Sequence, residues 1–93
     1  MAQTFASLPA KVGFNEAPGL LERLSVELGA MEAPCVDLSA CQHFDSSLVG
    51  MLLELMRRLQ ASWRALRLIN PPENLHKLAL LYGVNGILFD ARA

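Results

Sequence analysis

The fold of this chain is decided by residues 36–59, V-D-L-S-A-C-Q-H-F-D-S-S-L-V-G-M-L-L-E-L-M-R-R-L. The apolar run that ends in Asp37-Leu38-Ser39 predicts a buried strand, and a polar turn through Gln42 and His43 follows it. Asp45 or Ser46 then caps a helix that Ser46-Ser47 open. Its apolar residues recur at helical spacing: Leu48, Met51, Leu52, Leu55, Met56 and Leu59. We therefore expect two exposed hydroxyl groups at the first turn of a helix whose opposite face is buried.

Upstream of this stretch the sequence predicts an edge strand and a second helix. Residues 5–8 and 11–14 are short mixed segments separated by Pro9, which confines a strand to the edge of a sheet. Asn15, Glu16 and Pro18 form a helix start, and Gly29 ends that helix. We expect its buried face to carry Leu20, Leu21, Leu24, Val26 and Leu28.

Downstream, residues 65–69 predict a second core strand, with Leu66 and Leu68 on one face. Pro72 and Glu73 begin a further helix, and Gly83 is its natural C-terminal cap. The side chains expected to share the inner face of this helix are Leu75, Leu78, Ala79 and Tyr82. Residues 87–89 form a last apolar segment, which the alternating pattern suggests as a final strand.

Helices that alternate with short apolar strands predict an α/β fold. We expect a central, mixed and mostly parallel sheet of four to five short strands flanked by about three helices. With 93 residues, the chain is expected to form a single domain over residues 1–93. In such sheets, the carboxyl ends of the strands carry functional loops, so Asp37, Ser39 and the loop to Asp45 are expected at the functional edge.

Composition excludes several classes of function. The formal net charge of −1 gives no general attraction to nucleic acid or to anionic lipid. Neither a secretory signal nor a membrane-spanning apolar run is visible, so a cytoplasmic location is expected. The two cysteines lack metal-ligand spacing, so no metal or cofactor is expected. Cys35 is interpreted as a small buried hydrophobe and Cys41 as a turn residue.

Two local patterns allow more than one interpretation. His43, Asp45 and Ser46 supply the residue types of a hydrolase triad, but residues this close in sequence seldom converge on one point, and no G-x-S-x-G motif is present. Arg57, Arg58, Arg64 and Arg67 surround Trp63, which fits a solvated helix face or a protein-docking patch better than an RNA site.

The serine pair also has two interpretations. The first turn of a helix presents free N–H groups and the positive end of the helix dipole, which would favour a phosphate or a partner's carboxylate near Ser46 and Ser47. Alternatively, one of the serines serves only as the N-cap. Local sequence does not separate the two.

The sequence V-D-L-S at 36–39, F-D-S-S at 44–47 and the apolar helix through Leu52-Leu53 resembles the STAS domain family, which includes domains of sulphate transporters and bacterial anti-sigma factor antagonists. Residues 68–75, L-I-N-P-P-E-N-L, and 81–84, L-Y-G-V, look most like the MlaB group of that family, small subunits of Mla phospholipid transport systems. The resemblance covers residues 33–89 best.

This resemblance implies a non-enzymatic subunit that binds the cytoplasmic ABC ATPase of a phospholipid transporter and supports its assembly and activity in outer-membrane lipid asymmetry. Through that complex the chain would lie at the cytoplasmic face of the inner membrane. Ser46 matches the hydroxyl residue that contacts the ATPase or, in the antagonists, is phosphorylated. The partner-binding surface that follows comprises Gln42, His43, Asp45, Ser46, Ser47, Gly50, Glu54 and Arg57. The alternative is an anti-sigma factor antagonist that is switched by phosphorylation of Ser46.

Overall fold

The computed structural model describes residues 5–89, which contain five short strands and four helices. The strands are β1 (Ala6–Ser7), β2 (Lys11–Val12), β3 (Cys35–Asp37), β4 (His43–Phe44) and β5 (Arg67–Ile69). The helices are α1 (Ala17–Gly29), α2 (Ser46–Gln60), α3 (Glu73–Leu81) and α4 (Asn85–Phe89). The predicted α/β class is confirmed.

The strands form two small sheets, and every strand pair is parallel. One sheet has the order β1-β3-β5 and the other pairs β2 with β4. In the central strand, Val36 lies opposite Ala6 on one side and Leu68 on the other, and it is fully buried. The expected N-terminal edge strand is β1, whereas the expected second core strand, β5, lies at the other edge.

The second sheet corrects the prediction for residues 42–44. We expected a polar turn through Gln42 and His43, but His43 lies in β4, opposite Lys11. The backbone N–H groups of Gln42 and His43 both donate to the carbonyl oxygen of Ala10, each at 2.9 Å. This pairing joins segments more than thirty positions apart, so the local composition of either segment gives no sign of it.

Helix α2 forms the centre of the core and packs against α1. Its buried residues are Leu48, Val49, Met51, Leu52, Leu55 and Leu59. In α1, Leu20, Leu24 and Leu28 are buried as predicted, but Val26 is 75% exposed. Two positions of a helix correspond to a rotation of about 200°, which takes Val26 to the opposite face from Leu24.

Helices α2 and α3 end in the same hydrogen-bond pattern, the Schellman motif. After α2, the N–H groups of Trp63 and Arg64 donate to the carbonyls of Gln60 and Leu59 at 2.9 and 3.1 Å. The residue that takes the left-handed conformation in this motif is Trp63, with φ 61°.

After α3, the N–H groups of Gly83 and Val84 donate in the same way to Leu80 and Ala79, at 3.0 and 2.9 Å. The left-handed residue here is Gly83, with φ 72°. The prediction that Gly83 ends α3 is thus confirmed, with Gly83 in the position directly after the C-cap.

Two predictions for the C-terminal part are wrong. Residues 87–89 belong to helix α4 and not to a strand, because the N–H groups of Ile87 and Leu88 both donate to the carbonyl of Val84 at 3.0 Å. Tyr82, expected on the inner face of α3, is the C-cap of that helix and is 52% exposed. A three-residue apolar run has too little length to distinguish a strand from a helix.

The two cysteines exchange the environments expected for them. Cys41 is fully buried, and its N–H donates to the carbonyl of Leu38 at 3.1 Å, whereas Cys35 is only half-buried on β3. Burial raises the pKa of the Cys41 thiol. Separately, no helix among residues 5–89 has the length and apolar character needed to cross a membrane.

Candidate functional site

Asp45 is the N-cap of α2 and holds the first turn of the helix. Its backbone is extended, and its Oδ1 accepts a hydrogen bond from the N–H of Ser47 at 2.8 Å. The Ser47 N–H, the Ser47 hydroxyl and the Phe14 N–H all favour the charged carboxylate and lower the pKa of Asp45. Asp45, and neither serine, therefore caps α2.

The two serines differ in their surroundings. Ser47 is half-buried and its backbone N–H donates to Asp45, whereas Ser46 is exposed. Within residues 5–89, the Ser46 side chain forms no hydrogen bond. The first turn of α2 thus presents one free hydroxyl group, that of Ser46, beside an ionised carboxylate.

Four of the predicted site residues share one face of α2, which we call the Ser46 face: Ser46, Gly50, Glu54 and Arg57. They lie three or four positions apart, so they follow one another along the helix surface. Gly50 is exposed, and a Cβ atom built there would have nothing within 4 Å. The Ser46 face is therefore smooth for one full turn beyond the serine.

At the far end of this face, Glu54 is paired with two arginines. Its carboxylate accepts from Arg57 Nη2 at 2.6 Å and from Arg58 Nε at 2.9 Å. Hydrogen bonds from Arg57 and then Arg58 lower the pKa of Glu54 to about 2. Arg58 also donates to Ser25 at 2.9 Å and so links α2 to α1. Because Glu54 and Arg57 compensate each other, this end of the face carries little net charge.

The loop that carries Gln42 and His43 is held by short-range hydrogen bonds. Gln42 Nε2 donates to the Ser39 carbonyl at 3.2 Å, and the Ser39 N–H donates to Asp37 Oδ1 at 3.0 Å. Asn70 Nδ2, at 3.2 Å from the same oxygen, ties β5 to this loop. The Ser39 N–H and then Asn70 lower the pKa of Asp37. Asp37 therefore orders the loop, and the side chains of Gln42 and His43 remain exposed.

Phe14 lies next to this site, although it was not among the site residues predicted from the sequence. The residue before it, Gly13, lies against the Asp45 carboxylate, since a Cβ atom built there would be 3.3 Å from Asp45 Oδ2, and the Phe14 side chain is 79% exposed. We expected residue 14 to belong to the N-terminal strand segment, but it lies in a turn after β2. Gly13 and Asn15 on either side are a turn signal that could have indicated an exposed side chain. Its proximity to Asp45 is a long-range contact that no local pattern reveals.

The residues of the suspected hydrolase triad do not form a hydrogen-bonded chain. The Asp45 carboxylate accepts a hydrogen bond from the Ser47 N–H, and within the described part of the chain no hydrogen bond joins the His43 imidazole to Asp45 or Ser46. Residues 5–89 contain no group of three or more His, Cys, Asp or Glu side chains able to hold a metal ion.

The arginine-rich segment after α2 is mainly engaged within the molecule. Arg64 Nη1 donates to the carbonyls of Gly29 and Met31 at 2.7 and 2.8 Å, where it closes the C-terminal end of α1. Arg57 and Arg58 bind Glu54, as described above, and Arg67 is exposed on β5. Trp63 is 96% exposed. The arginines thus serve mostly intramolecular contacts.

A shallow groove lies elsewhere, between α3 and α4. It is lined by His76, Leu80, Asn85, Gly86 and Phe89, and the rings of His76 and Phe89 are in contact, with centroids 4.2 Å apart. None of its residues belongs to the predicted site. The Ser46 face, with its neighbouring loops, is thus the candidate site.

Comparison with known proteins gives a family and a fold. A family model described as "Mlab, STAS domain" matches residues 7–89. A search of curated proteins finds no match. The structure of the anti-sigma factor antagonist SpoIIAA in its unphosphorylated form has a TM-score of 0.73 at 19% identity, covering 96% of this chain and 80% of that one. The structure of the phosphorylated form of SpoIIAA, a Bacillus cell fate determinant, has a TM-score of 0.66 at 22% identity, covering 96% of this chain and 83% of that one.

Proposed function

This chain belongs to the STAS domain family, and on that premise we propose that it is a non-catalytic accessory subunit of a phospholipid ABC transporter. It binds the transporter's ATPase through the Ser46 face and the adjoining loop at Gln42 and His43, and it supports the assembly and activity of the complex. Through this partner it resides at the cytoplasmic face of the inner membrane.

One observation carries the proposal: the first turn of α2 is already capped, and its exposed serine has no intramolecular role. Asp45 supplies the cap, so the Ser46 hydroxyl is left for a partner. The smooth surface at Gly50 lets another protein approach the helix closely. The description of the matching family model supports a subunit of the Mla type.

The test is association with the ATPase. We expect purified ATPase to retain the native chain and to lose Ser46→Arg, because the long charged side chain would stand between the partner and the first turn of α2. Ser62→Arg is the matched control, since Ser62 is also exposed but follows the other end of α2. If Ser46→Arg is retained as well as the control, the proposed docking site is wrong.

A second candidate is an anti-sigma factor antagonist. Its support is the fold shared with SpoIIAA, together with the exposed hydroxyl of Ser46. A phosphate on Ser46 would lie at the positive end of the helix dipole but beside the ionised Asp45 carboxylate, so the two influences oppose each other. Incubation with a partner-switching kinase and mass spectrometry would detect phosphate on Ser46, with Ser46→Ala as the control. Absence of the modification would count against this role.

Gene neighbourhood gives an inexpensive discriminator between the two roles. A neighbouring ABC ATPase gene with a gene for a lipid-binding periplasmic protein favours the transporter subunit, and a neighbouring kinase gene favours the antagonist.

A hydrolytic or thiol enzyme is the third class. It predicts ester hydrolysis that Ser46→Ala or Cys41→Ala abolishes, and an inactive native chain with generic ester substrates would argue against it.

A further inference from the structure

The turn between β2 and α1 carries an exposed aromatic side chain, Phe14, and packs against Asp45, the N-cap of α2. The N–H groups of Glu16 and Ala17 donate to the Gly13 carbonyl at 3.1 and 3.0 Å, and Glu16 Oε1 accepts from the Gly13 N–H at 2.8 Å. The backbone on both sides of Phe14 is thus ordered before any partner arrives, which lowers the entropy cost of using this side chain in an interface.

The turn is also packed tightly against the cap of α2. A Cβ atom at Gly13 would lie 3.2 Å from Glu16 Oε1 and 3.3 Å from Asp45 Oδ2. Both carboxylates therefore border the same point of the backbone, immediately before Phe14. Within residues 5–89, neither of them forms an ion pair. An exposed phenyl ring thus projects from a small region of uncompensated negative charge.

We propose that Phe14 is an anchor of the docking surface, which inserts into an apolar pocket of the partner ATPase bordered by a basic side chain that meets Asp45 and Glu16. This inference rests on the proposed function and extends its surface from α2 to the turn before α1. The phenyl ring supplies buried apolar area, and the two carboxylates supply orientation.

Affinity measurements with the purified ATPase test the anchor. We expect Phe14→Ala to weaken binding about tenfold or more, as truncation of an aromatic hot spot does, and Phe14→Leu to retain part of the affinity. Trp63→Ala is the matched control, because it removes a more exposed aromatic from the other end of α2, and it should leave affinity unchanged within about twofold. Circular dichroism and thermal unfolding check that each variant is folded.

The charges are tested separately by Glu16→Gln and Asp45→Asn, which keep an amide oxygen as the hydrogen-bond acceptor. We expect each to weaken binding several-fold at low salt and to reduce the dependence of affinity on salt. If the affinity of these variants depends on salt as strongly as that of the native chain, the proposed basic side chain at the border of the partner's pocket is refuted.

The outcomes separate this inference from the proposed function. If Ser46→Arg abolishes binding while Phe14→Ala binds as the native chain does, the anchor is wrong and the docking site at Ser46 stands. If the native chain does not bind the ATPase, the proposed function fails and the inference fails with it. If Phe14→Ala and Trp63→Ala weaken binding equally, Phe14 has no special place in the interface, and the inference is also refuted.

Discussion

The two ends of α2 each display an exposed aromatic side chain, but they are built differently. At the first turn, Asp45 satisfies the backbone without strain, and the neighbouring Phe14 and Ser46 are left exposed. At the last turn, Trp63 is still more exposed, yet it adopts a left-handed conformation, and the adjacent Arg64 is bonded inward to α1. Exposure of an aromatic residue alone therefore does not identify a docking site. In our proposal, the unpaired polar groups around Phe14 and Ser46 are what distinguish the first turn of α2 from the last.

The largest effect is expected where both ends depend on the same core. Leu52 is fully buried in the middle of α2, so Leu52→Ala should lower the free energy of unfolding by about 2–5 kcal/mol. Leu53→Ala is the control, because Leu53 is only half-buried and should cost clearly less. Urea unfolding measures both, and equal losses would mean that the burial of α2 is misassigned.

The next test compares the two Schellman motifs. Trp63→Gly should stabilise the protein by about 0.5 kcal/mol, because relief of the left-handed strain exceeds the entropy that glycine adds to the unfolded chain. Gly83→Ala should destabilise it by about 1 kcal/mol, since alanine would take on the strain that glycine avoids. Thermal unfolding should show shifts of opposite sign. Loss of stability in Trp63→Gly would indicate that the indole makes a stabilising contact.

These outcomes also bear on how far the sequence predicts the structure. Helix α2, strand β3 and the cap at Gly83 were predictable, because periodicity and turn chemistry are local. The pairing of β2 with β4 and the approach of the turn at Gly13 to Asp45 were not, since each joins segments distant in the chain. Val26 was wrongly assigned to the buried face of α1, because the assignment considered that it is apolar but not its angular position around the helix. The docking role of Gln42, His43 and the Ser46 face stays a prediction.

A smaller effect is expected at the cap of the first turn. The pKa of Asp45 is lowered in the folded protein, so its contribution to stability is present above the unfolded pKa and is lost as the pH falls through the folded one. Asp45→Ala should lower the melting temperature by a few degrees at neutral pH. Asp45→Asn should keep most of the cap and show a weaker acid dependence. Identical acid profiles for Asp45→Asn and the native chain would contradict this assignment.

The smallest effect is expected at the far end of the Ser46 face. The pKa of Glu54 is lowered to about 2 by its two arginines, so the stabilisation it provides should be complete above about pH 4.5 and fade toward pH 2. Glu54→Gln should remove this part of the acid dependence with only a slight change in stability at neutral pH, because exposed ion pairs are screened by solvent. Melting temperatures measured across this pH range, at low and high salt, provide the check.

The buried thiol of Cys41 can report how often the loop that precedes the candidate site opens. A thiol that is enclosed and kept protonated cannot react with an alkylating reagent until the segment around it opens. The labelling rate of Cys41 therefore measures how often this segment opens, and the half-buried Cys35 provides an internal reference on β3. A partner bound at Gln42 and His43 would lower the labelling rate of Cys41. The native chain can therefore report binding at the proposed docking surface without an added probe.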